Sequence, residues 1–546
     1  MDYQQLADLL FPNVTKSWKE YLDMYPERNL PKGAEVLRMA PSPTGFIHLG
    51  NLYGALADER IAHQSNGVFY LRIEDTDLKR KVEGAVETVI SCFDYFQIHF
   101  DEGAHLENGK YGPYYQRQRA EIYQAFAKKL VSEGKAYPCF CSEEELGKLR
   151  EQQTSLNQAT GYYGKWAKCR NLTLQEIKAR LENKDSYVIR MRSNGDNSKQ
   201  HIFHDEIKGD ITVHENDQDI VLLKADGIPT YHFAHAIDDT LMHTSIVLRG
   251  EEWLGTLPVH LQLFDLLGFK RLKYAHTTVL MKIDETGTKR KLSKRKDPEL
   301  SLDYYRQLGY HPYAVKLYLM TLLNWNFEQW YLKNPDTNLE EFKFSLDKMG
   351  QSGALFDLDK LNNISKTYLS KFTLDQMKDF LKEYVSNYRS DDYQMYFSNE
   401  SKLDAILSVG MGLNMKKRRK DYAYASQILD SIDLYYHHKM VDSFQYDNEL
   451  VKKILTDFLS SYDYNDDNNT WFEKLKDIAQ QNGFQTDMKA YKLDPTGYKG
   501  SIADVSEIVR IATTGHRNTP DLWSIMQIIG EESTKERIIN VVKELD

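Results

Sequence analysis

Cysteine is scarce in this chain, four in 546 residues, which excludes a disulfide scaffold. Long apolar runs are missing as well: nothing approaches the roughly 18 residues a membrane helix needs, and the mean hydropathy is −0.59. A basic excess is also absent, with 70 Lys and Arg against 80 Asp and Glu, a net charge of −10. That balance excludes a histone-like coat protein, and a polyanion would have to be met by cations gathered on one face. The opening Met-Asp-Tyr-Gln-Gln has no basic segment followed by an apolar one, so no secretory signal is expected. With so few cysteines, a reducing cytoplasm is the expected compartment. No internal repeat or low-complexity tract interrupts the chain. What remains is a globular composition, 41% apolar and 27% charged, at a length that suggests about three or four domains.

The texture changes several times along the chain. Residues 1–34 carry amphipathic stretches at Tyr3 to Leu10 and Trp18 to Met24, closed by Pro26 and Pro31, and read as a helical extension without visible chemistry. "AEVLRMA" then reads as a strand, "PSPTG" as a turn, "HLGNLYGALADERIAHQSNG" as a helix and "VFYLRIEDTD" as a second strand. Strand, turn, helix, strand predicts a βαβ unit with a ligand at the carboxyl edge of a parallel sheet. Residues 113–230 read as an insertion, with a helix around 117–133, a cysteine-bearing segment at 139–169 and strands in "SYVIRMRS" and "DIVLLKAD". The α/β texture returns at "TYHFAHAIDD" and "TSIVLRGEEWLG", followed by a helix at 256–267. From about 300 the periodicity is mostly helical, and 386–400 is expected to be a loop.

Two short motifs carry chemistry. Pro41-Ser42-Pro43-Thr44-Gly45-Phe46-Ile47-His48-Leu49-Gly50-Asn51 sits between a strand and a helix, where an imidazole, bare amides and the positive helix end can meet a phosphate. By itself a His-x-Gly is most often a capped turn. Lys289-Arg290-Lys291-Leu292-Ser293-Lys294-Arg295-Lys296 packs six cations into eight residues, and by itself such a run is usually a solvated basic loop. Together they are what attack at the α-phosphorus of ATP requires: a histidine at the phosphates and lysines to neutralise charge growing on departing pyrophosphate.

"APSPTGFIHLGN" and "KLSKRK" resemble the two signature motifs of class I aminoacyl-tRNA synthetases, and of the glutamyl-tRNA synthetase family in particular. In the glutaminyl enzymes the equivalent of the Pro-Ser-Pro-Thr-Gly turn carries Glu and Asn. Further segments follow in family order: "LRIEDTD", "GPYYQRQR", "DGIPTYHFAHAIDD", "VLRGEEWL", "FDLDKLNNISKTYL" and "TTGHRNTPDLWSIMQIIG". The resemblance covers roughly 35–546, leaving the N-terminal extension and parts of 385–500 unsupported. One departure is Asn51, where the wider class has a second histidine.

The resemblance implies an α/β fold: a Rossmann-like catalytic domain (35–112 and 231–276) split by an acceptor-stem-binding insertion (113–230). A stem-contact region with the KLSKR loop (277–370) and a helical anticodon-binding region (371–546) follow. It implies ATP-dependent activation of glutamate to glutamyl-adenylate, then transfer to the 3′ end of tRNA(Glu), with release of pyrophosphate and AMP. The implied partners are tRNA(Glu), L-glutamate and ATP, with Mg²⁺ carried on the phosphates, no membrane, and a monomer. Catalysis is then expected from His48, Asn51, Lys291 and Lys294, and ATP binding from His48, Gly50, Asn51, Glu252 and Lys294. Glutamate binding is expected from Arg38, Ala40, Ser42, Glu74, Tyr231, Arg249 and Trp253. Glu74 suits the ammonium, and the arginines suit carboxylates.

Some relatives hold a structural zinc with a Cys-x-Cys, a later Cys and a Tyr or fourth Cys. Here Cys139, Cys141 and Cys169 are available, with Tyr163 as fourth ligand although its spacing to Cys169 is two residues longer than that pattern; buried free thiols are the alternative. Lys416-Lys417-Arg418-Arg419-Lys420 falls where the family reads the anticodon, either as a phosphate contact or as a solvated turn. Two other readings fit less well. A nucleotidyltransferase would be much shorter and lack the helical C-terminal half, and a non-catalytic tRNA-binding relative would not need His48, Lys291 and Lys294. The resemblance leaves open whether tRNA(Gln) is also charged.

Overall fold

The computed structural model describes residues 1–43, 45–77, 82–106 and 109–545, the side chain of Tyr393 apart. Thr44 of the first motif therefore lies outside the described residues. Two compact units emerge: Met1–Tyr304 with Val315–Asp357, and Tyr305–Ala314 with Leu358–Asp546.

The first unit opens with α1 (Tyr3–Leu10) and α2 (Trp18–Met24). Ser17 and Glu20 close the start of α2 reciprocally, each side chain bonding the other's backbone N–H. Leu6, Ala7 and Leu10 share an apolar core with Ile122 and Phe126. The extension is tied down further along, where the Arg28 guanidinium forks onto Glu102 at 2.8 and 3.0 Å.

β1 (Val36–Met39), α3 (Leu49–Gln64) and β2 (Val68–Leu71) form the expected βαβ unit. Val36 lies opposite Val68 and Met39 opposite Leu71, in parallel register. All four residues of β1 are buried, as a parallel strand covered on both faces requires. α4 (Ala85–Tyr95) then leads to β3 (Glu102–Gly103), parallel to β2. Next come α5 (Ala120–Ser132), β4 (Ala136–Cys139), α6 (Glu143–Ser155), α7 (Leu174–Glu182), β5 (Val188–Met191), β6 (Gln200–Asp205), β7 (Gly209–His214) and β8 (Val221–Leu223). β4, β5 and β8 make one antiparallel sheet, and β6–β7 is a separate hairpin.

The α/β texture resumes with α8 (Tyr231–Leu241), β9 (Ile246–Gly250), α9 (Leu257–Leu267) and β10 (Lys273–Thr277). β9 and β10 are parallel. Ser245 N–H donates to the Val36 carbonyl at 2.9 Å, which sets β9 alongside β1. Strand order therefore reverses between β1 and β9, the position where open α/β sheets bind ligands beyond their carboxyl ends. β11 (Leu280–Ile283), β12 (Lys289–Lys291) and β13 (Ala354–Leu355) form a last small sheet with β11 in the middle.

The second unit is helical, from Leu358–Leu369 to Glu531–Glu544. One of its cores gathers Leu381, Leu403 and Leu429, another Val451, Leu475 and Val509. The loop expected at 386–400 is corrected here. The preceding helix runs to Tyr388, and a single 3₁₀ turn (Ser390–Asp392) and a short helix (Tyr393–Phe397) follow. Tyr396, 1% exposed, joins the core and anchors this polar stretch, so tertiary burial overrides its weak propensity.

Candidate active site

A cavity of about 460 Å³ lies at the carboxyl ends of β1, β9 and β10, against the first turns of α3. Its walls include Arg38 of β1, Ala40 and Ser42 beyond it, His48 at the cap of α3, Gly50, Asn51 and Asp58 of α3, and Glu74 after β2. Tyr231 of α8, Arg249, Glu252 and Trp253 at and after β9, and Lys291 of β12 complete it.

One end of the cavity is the start of α3. His48 is the N-cap residue; its N–H donates to Asn51 Oδ1 at 3.0 Å while Asn51 N–H donates to the His48 carbonyl at 2.8 Å. A Cβ on Gly50 would stand 2.9 Å from His48 Nδ1, so any larger residue would displace the imidazole. Burial lowers the His48 pKa, with Glu252 opposing and Lys291 reinforcing. A neutral imidazole beside a helix N-terminus and a lysine is suited to phosphate oxygens.

The basic loop is anchored at its base. Asp297 accepts both forks of Arg290, at 2.7 and 2.8 Å, and the Ser293 N–H at 2.8 Å, and Leu292 is buried. Lys291 reaches the cavity. Lys294 does not line it: its ammonium lies 3.9 Å from the centroid of the Phe46 ring.

The other end is built on charge. Asp239, fully buried on α8, accepts from Arg38 at 3.2 Å and from Arg72 at 2.6 Å, and His235 Nδ1 lies 2.7 Å from its other oxygen. Burial works to raise the Asp239 pKa, but Arg38 and Arg72 hold it well below the usual carboxylate range. Arg72 also pairs with Glu74 at 3.2 Å; burial nonetheless pushes the Glu74 carboxyl up. Asp58 is 2% exposed with Oδ1 lacking a hydrogen-bond partner, and burial raises it strongly.

Arg249 is different. Its Nε–H donates to His276 Nε2 at 3.0 Å, one Nη–H to His260 Nδ1 at 3.0 Å and the other Nη–H to the Trp253 carbonyl at 3.3 Å. The Tyr274 ring lies under it at 4.8 Å. Among the described residues no carboxylate forms an ion pair with it. Tyr231 stacks on His235 and meets Trp253 with ring centroids 4.6 Å apart.

Sequence reasoning missed Arg72, Asp239, Asp58, Asp205 and the histidines at 232, 235, 260 and 276. The i, i+4 spacing of His235 and Asp239 on α8 was the available signal.

Away from the cavity, Cys139, Cys141 and Cys169 bring their thiols within 4.8 Å of one another. A zinc tetrahedron with Zn–S near 2.3 Å has S···S edges of about 3.8 Å, and Cys141 and Cys169 stand 3.6 Å apart, so this donor set can hold a zinc. Hydrogen bonds from Cys141 and Cys169 pull the Cys139 thiol far below the usual range. Tyr163 is not beside them: its hydroxyl bonds the Ala159 carbonyl at 2.7 Å. Tyr162 takes that place, 3.4 and 3.3 Å from Cys139 and Cys141. Tyr163 is extended, and in extended backbone neighbouring side chains point opposite ways. In the second unit Lys416, Lys417 and Arg418 lie exposed in a turn after the helix Glu400–Met411. Arg419 pairs with Asp421, and Lys420 reaches Thr367.

Residues 36–383 match the family described as "tRNA synthetases class I (E and Q), catalytic domain", and residues 374–542 match an "Anticodon binding domain". A glutamate–tRNA ligase of Acetivibrio thermocellus is 55% identical over 98% of this chain and 99% of its own. One of Clostridium perfringens is 46% identical over 98% of this chain and all of its own. The crystal structure of a glutamate tRNA ligase from Elizabethkingia meningosepticum in complex with its amino acid superposes with a TM-score of 0.71, at 27% identity, covering 94% of this chain and all of that one. With a sheet reversal over the cavity, a phosphate-suited helix start and these likenesses, the chain belongs to the glutamate–tRNA ligases of the class I (E and Q) tRNA synthetase family.

Proposed function

We propose that this protein activates L-glutamate with ATP and transfers the glutamyl group to the 3′ end of tRNA(Glu). The observation that carries the amino-acid assignment is Arg249, a buried guanidinium in the cavity wall with no acid paired to it among the described residues. An unpaired buried cation is costly, and a substrate carboxylate repairs it. Arg38, by contrast, is already neutralised by Asp239. The side-chain carboxylate of glutamate therefore goes to Arg249, and the ammonium to Glu74, whose raised pKa a cation would restore. Glutamine has nearly the same shape but would offer NH₂ donors to a guanidinium that only donates.

ATP lies along the start of α3, its phosphates against His48, the Gly50 backbone and Asn51, with Lys291 and Glu252 on the opposite wall. The substrate carboxylate attacks the α-phosphorus and pyrophosphate departs; the tRNA 3′ hydroxyl then displaces AMP from the adenylate. No covalent enzyme intermediate is needed, so the residues act by positioning and by charge. Mg²⁺ travels on the phosphates and neutralises their charge. A structural zinc on Cys139, Cys141 and Cys169 would fix the inserted segment, with the Tyr162 hydroxyl nearest as fourth donor. The predicted domain limits serve as the working division: acceptor stem on 113–230, stem contact on 277–370, anticodon on 371–546.

Aminoacylation of tRNA(Glu) and tRNA(Gln) transcripts tests the reading. Glutamate charges tRNA(Glu), and glutamine charges neither. Arg249→Ala loses glutamate activity and narrows the preference for glutamate over glutamine, since each unpaired buried polar group costs about 1–3 kcal/mol. An unchanged preference with reduced activity would remove Arg249 from recognition.

A further inference from the structure

A guanidinium has only donors, so every group it touches here must present a lone pair, and this dictates the protonation of its neighbours. His276 Nε2 accepts from Arg249, hence its proton is on Nδ1, which meets Asp205 Oδ2 at 2.6 Å. Asp205, fully buried at the end of β6, is itself held by the N–H groups of Ile207 and Lys208. His260 Nδ1 also accepts from Arg249, hence its proton is on Nε2, which meets His232 Nδ1 at 2.8 Å. His260 and His276 are both 0% exposed. Arg249 is thus gripped by two neutral rings, each locked in one tautomer from behind, and Asp205 stands behind one of them, an imidazole away from the guanidinium.

We propose that His260 and His276 are positioning residues for glutamate: they orient the Arg249 guanidinium while withholding a countercharge, so that the substrate's side-chain carboxylate is its ion partner. This rests on the assignment of Arg249 to that carboxylate. An aspartate or glutamate in either place would satisfy the same N–H just as well. It would also neutralise the guanidinium in advance, and a site already paired has less to gain from a second carboxylate. The choice of imidazole over acid is therefore a selectivity device and not only a hydrogen bond. Through Asp205 the inserted segment contributes to the amino-acid site.

Isosteric pairs separate geometry from charge. An Asn places its oxygen where the imidazole Nδ1 was, and a Gln where Nε2 was. His260→Asn and His276→Gln should keep the glutamate KM in tRNA(Glu) aminoacylation within about threefold of wild type. His260→Asp and His276→Glu should raise it about tenfold or more and erode the preference over glutamine, because a charged acceptor pre-empts the substrate. His276→Asn, whose amide falls short of Arg249, should raise it as well. The ATP KM stays within about twofold in all five, a split that general damage to the fold would not produce. If amide and acid behave alike at a site where both variants melt as wild type does, the proposal is overturned. If one acid variant does not fold, the pair at the other histidine and the Gln/Asn contrast at 276 decide. Arg249→Gln in the same assay separates the two layers. An unchanged glutamate KM there defeats the carboxylate assignment itself, whereas a raised KM with no amide–acid difference defeats only the positioning role.

Discussion

Lys294 offers the sharpest check on the activation chemistry, because the structure holds it away from the cavity and over the Phe46 ring, 3.9 Å from its centroid. For Lys294 to act it must leave that ring, and the relevant energies decide whether it does. An exposed ammonium over an aromatic face gains about 0.5–1 kcal/mol. One preorganised contact to charge that develops in a transition state contributes about 2.7–4 kcal/mol. The departing pyrophosphate therefore wins by roughly 2–3 kcal/mol, and the Phe46 contact is a resting place. The base of the loop need not move, since Asp297 keeps hold of Arg290 and Ser293. Lys294→Ala should slow glutamyl transfer by a factor of about 30–150, the kinetic equivalent of that net 2–3 kcal/mol, with little change in glutamate binding. Lys294→Arg should recover only part, because a broad planar fork replaces a compact point charge. Phe46→Leu should change the rate by no more than about fivefold, the kinetic equivalent of 1 kcal/mol. The assay is single-turnover aminoacylation at saturating ATP, glutamate and tRNA. Transfer by Lys294→Ala within about threefold of wild type would refute the reasoning and return the loop to a solvated basic turn.

Two further outcomes are expected. Chelator-washed protein refolded with zinc should carry about one zinc per chain, and Cys169→Ser should lose it whereas Tyr163→Phe, whose hydroxyl bonds Ala159, should not; normal folding with no zinc would leave buried free thiols as the answer. Alanine at all of Lys416–Lys420 should weaken tRNA binding and flatten the slope of log affinity against log salt by about one for each phosphate no longer neutralised, with ATP binding unchanged; equal affinity would mark the run as a solvated turn.

Much of this protein was legible along the chain because it is written in local code. Strand texture, turn residues and a 3.6 period gave β1, α3 and β2, and the amphipathic stretch from Trp18 to Met24 gave α2. Two motifs, each weak alone, pointed to one shared site once taken together, and residues from both line one cavity. Tyr163 shows the limit of such reading: one step along an extended backbone reverses the side chain, so spacing alone could not separate it from Tyr162. The 386–400 stretch shows another, since its helix depends on Tyr396 finding a distant core.

Tertiary structure alone decided which charges are paired. Composition reports arginines at 38, 72 and 249 as equals. Only the packing of α8 against β1 and β2 gives two of them a shared Asp239, and only the meeting of α9, β9 and β10 gives the third a pair of neutral imidazoles. Pairing energies depend on burial and on distances of a few ångströms between residues as far apart in sequence as 38 and 239. Local periodicity carries no record of such separations. The chain by itself determined the elements, the two motifs and the family likeness; the fold decided that Arg249, unlike Arg38 and Arg72, meets imidazoles and no carboxylate among the described residues.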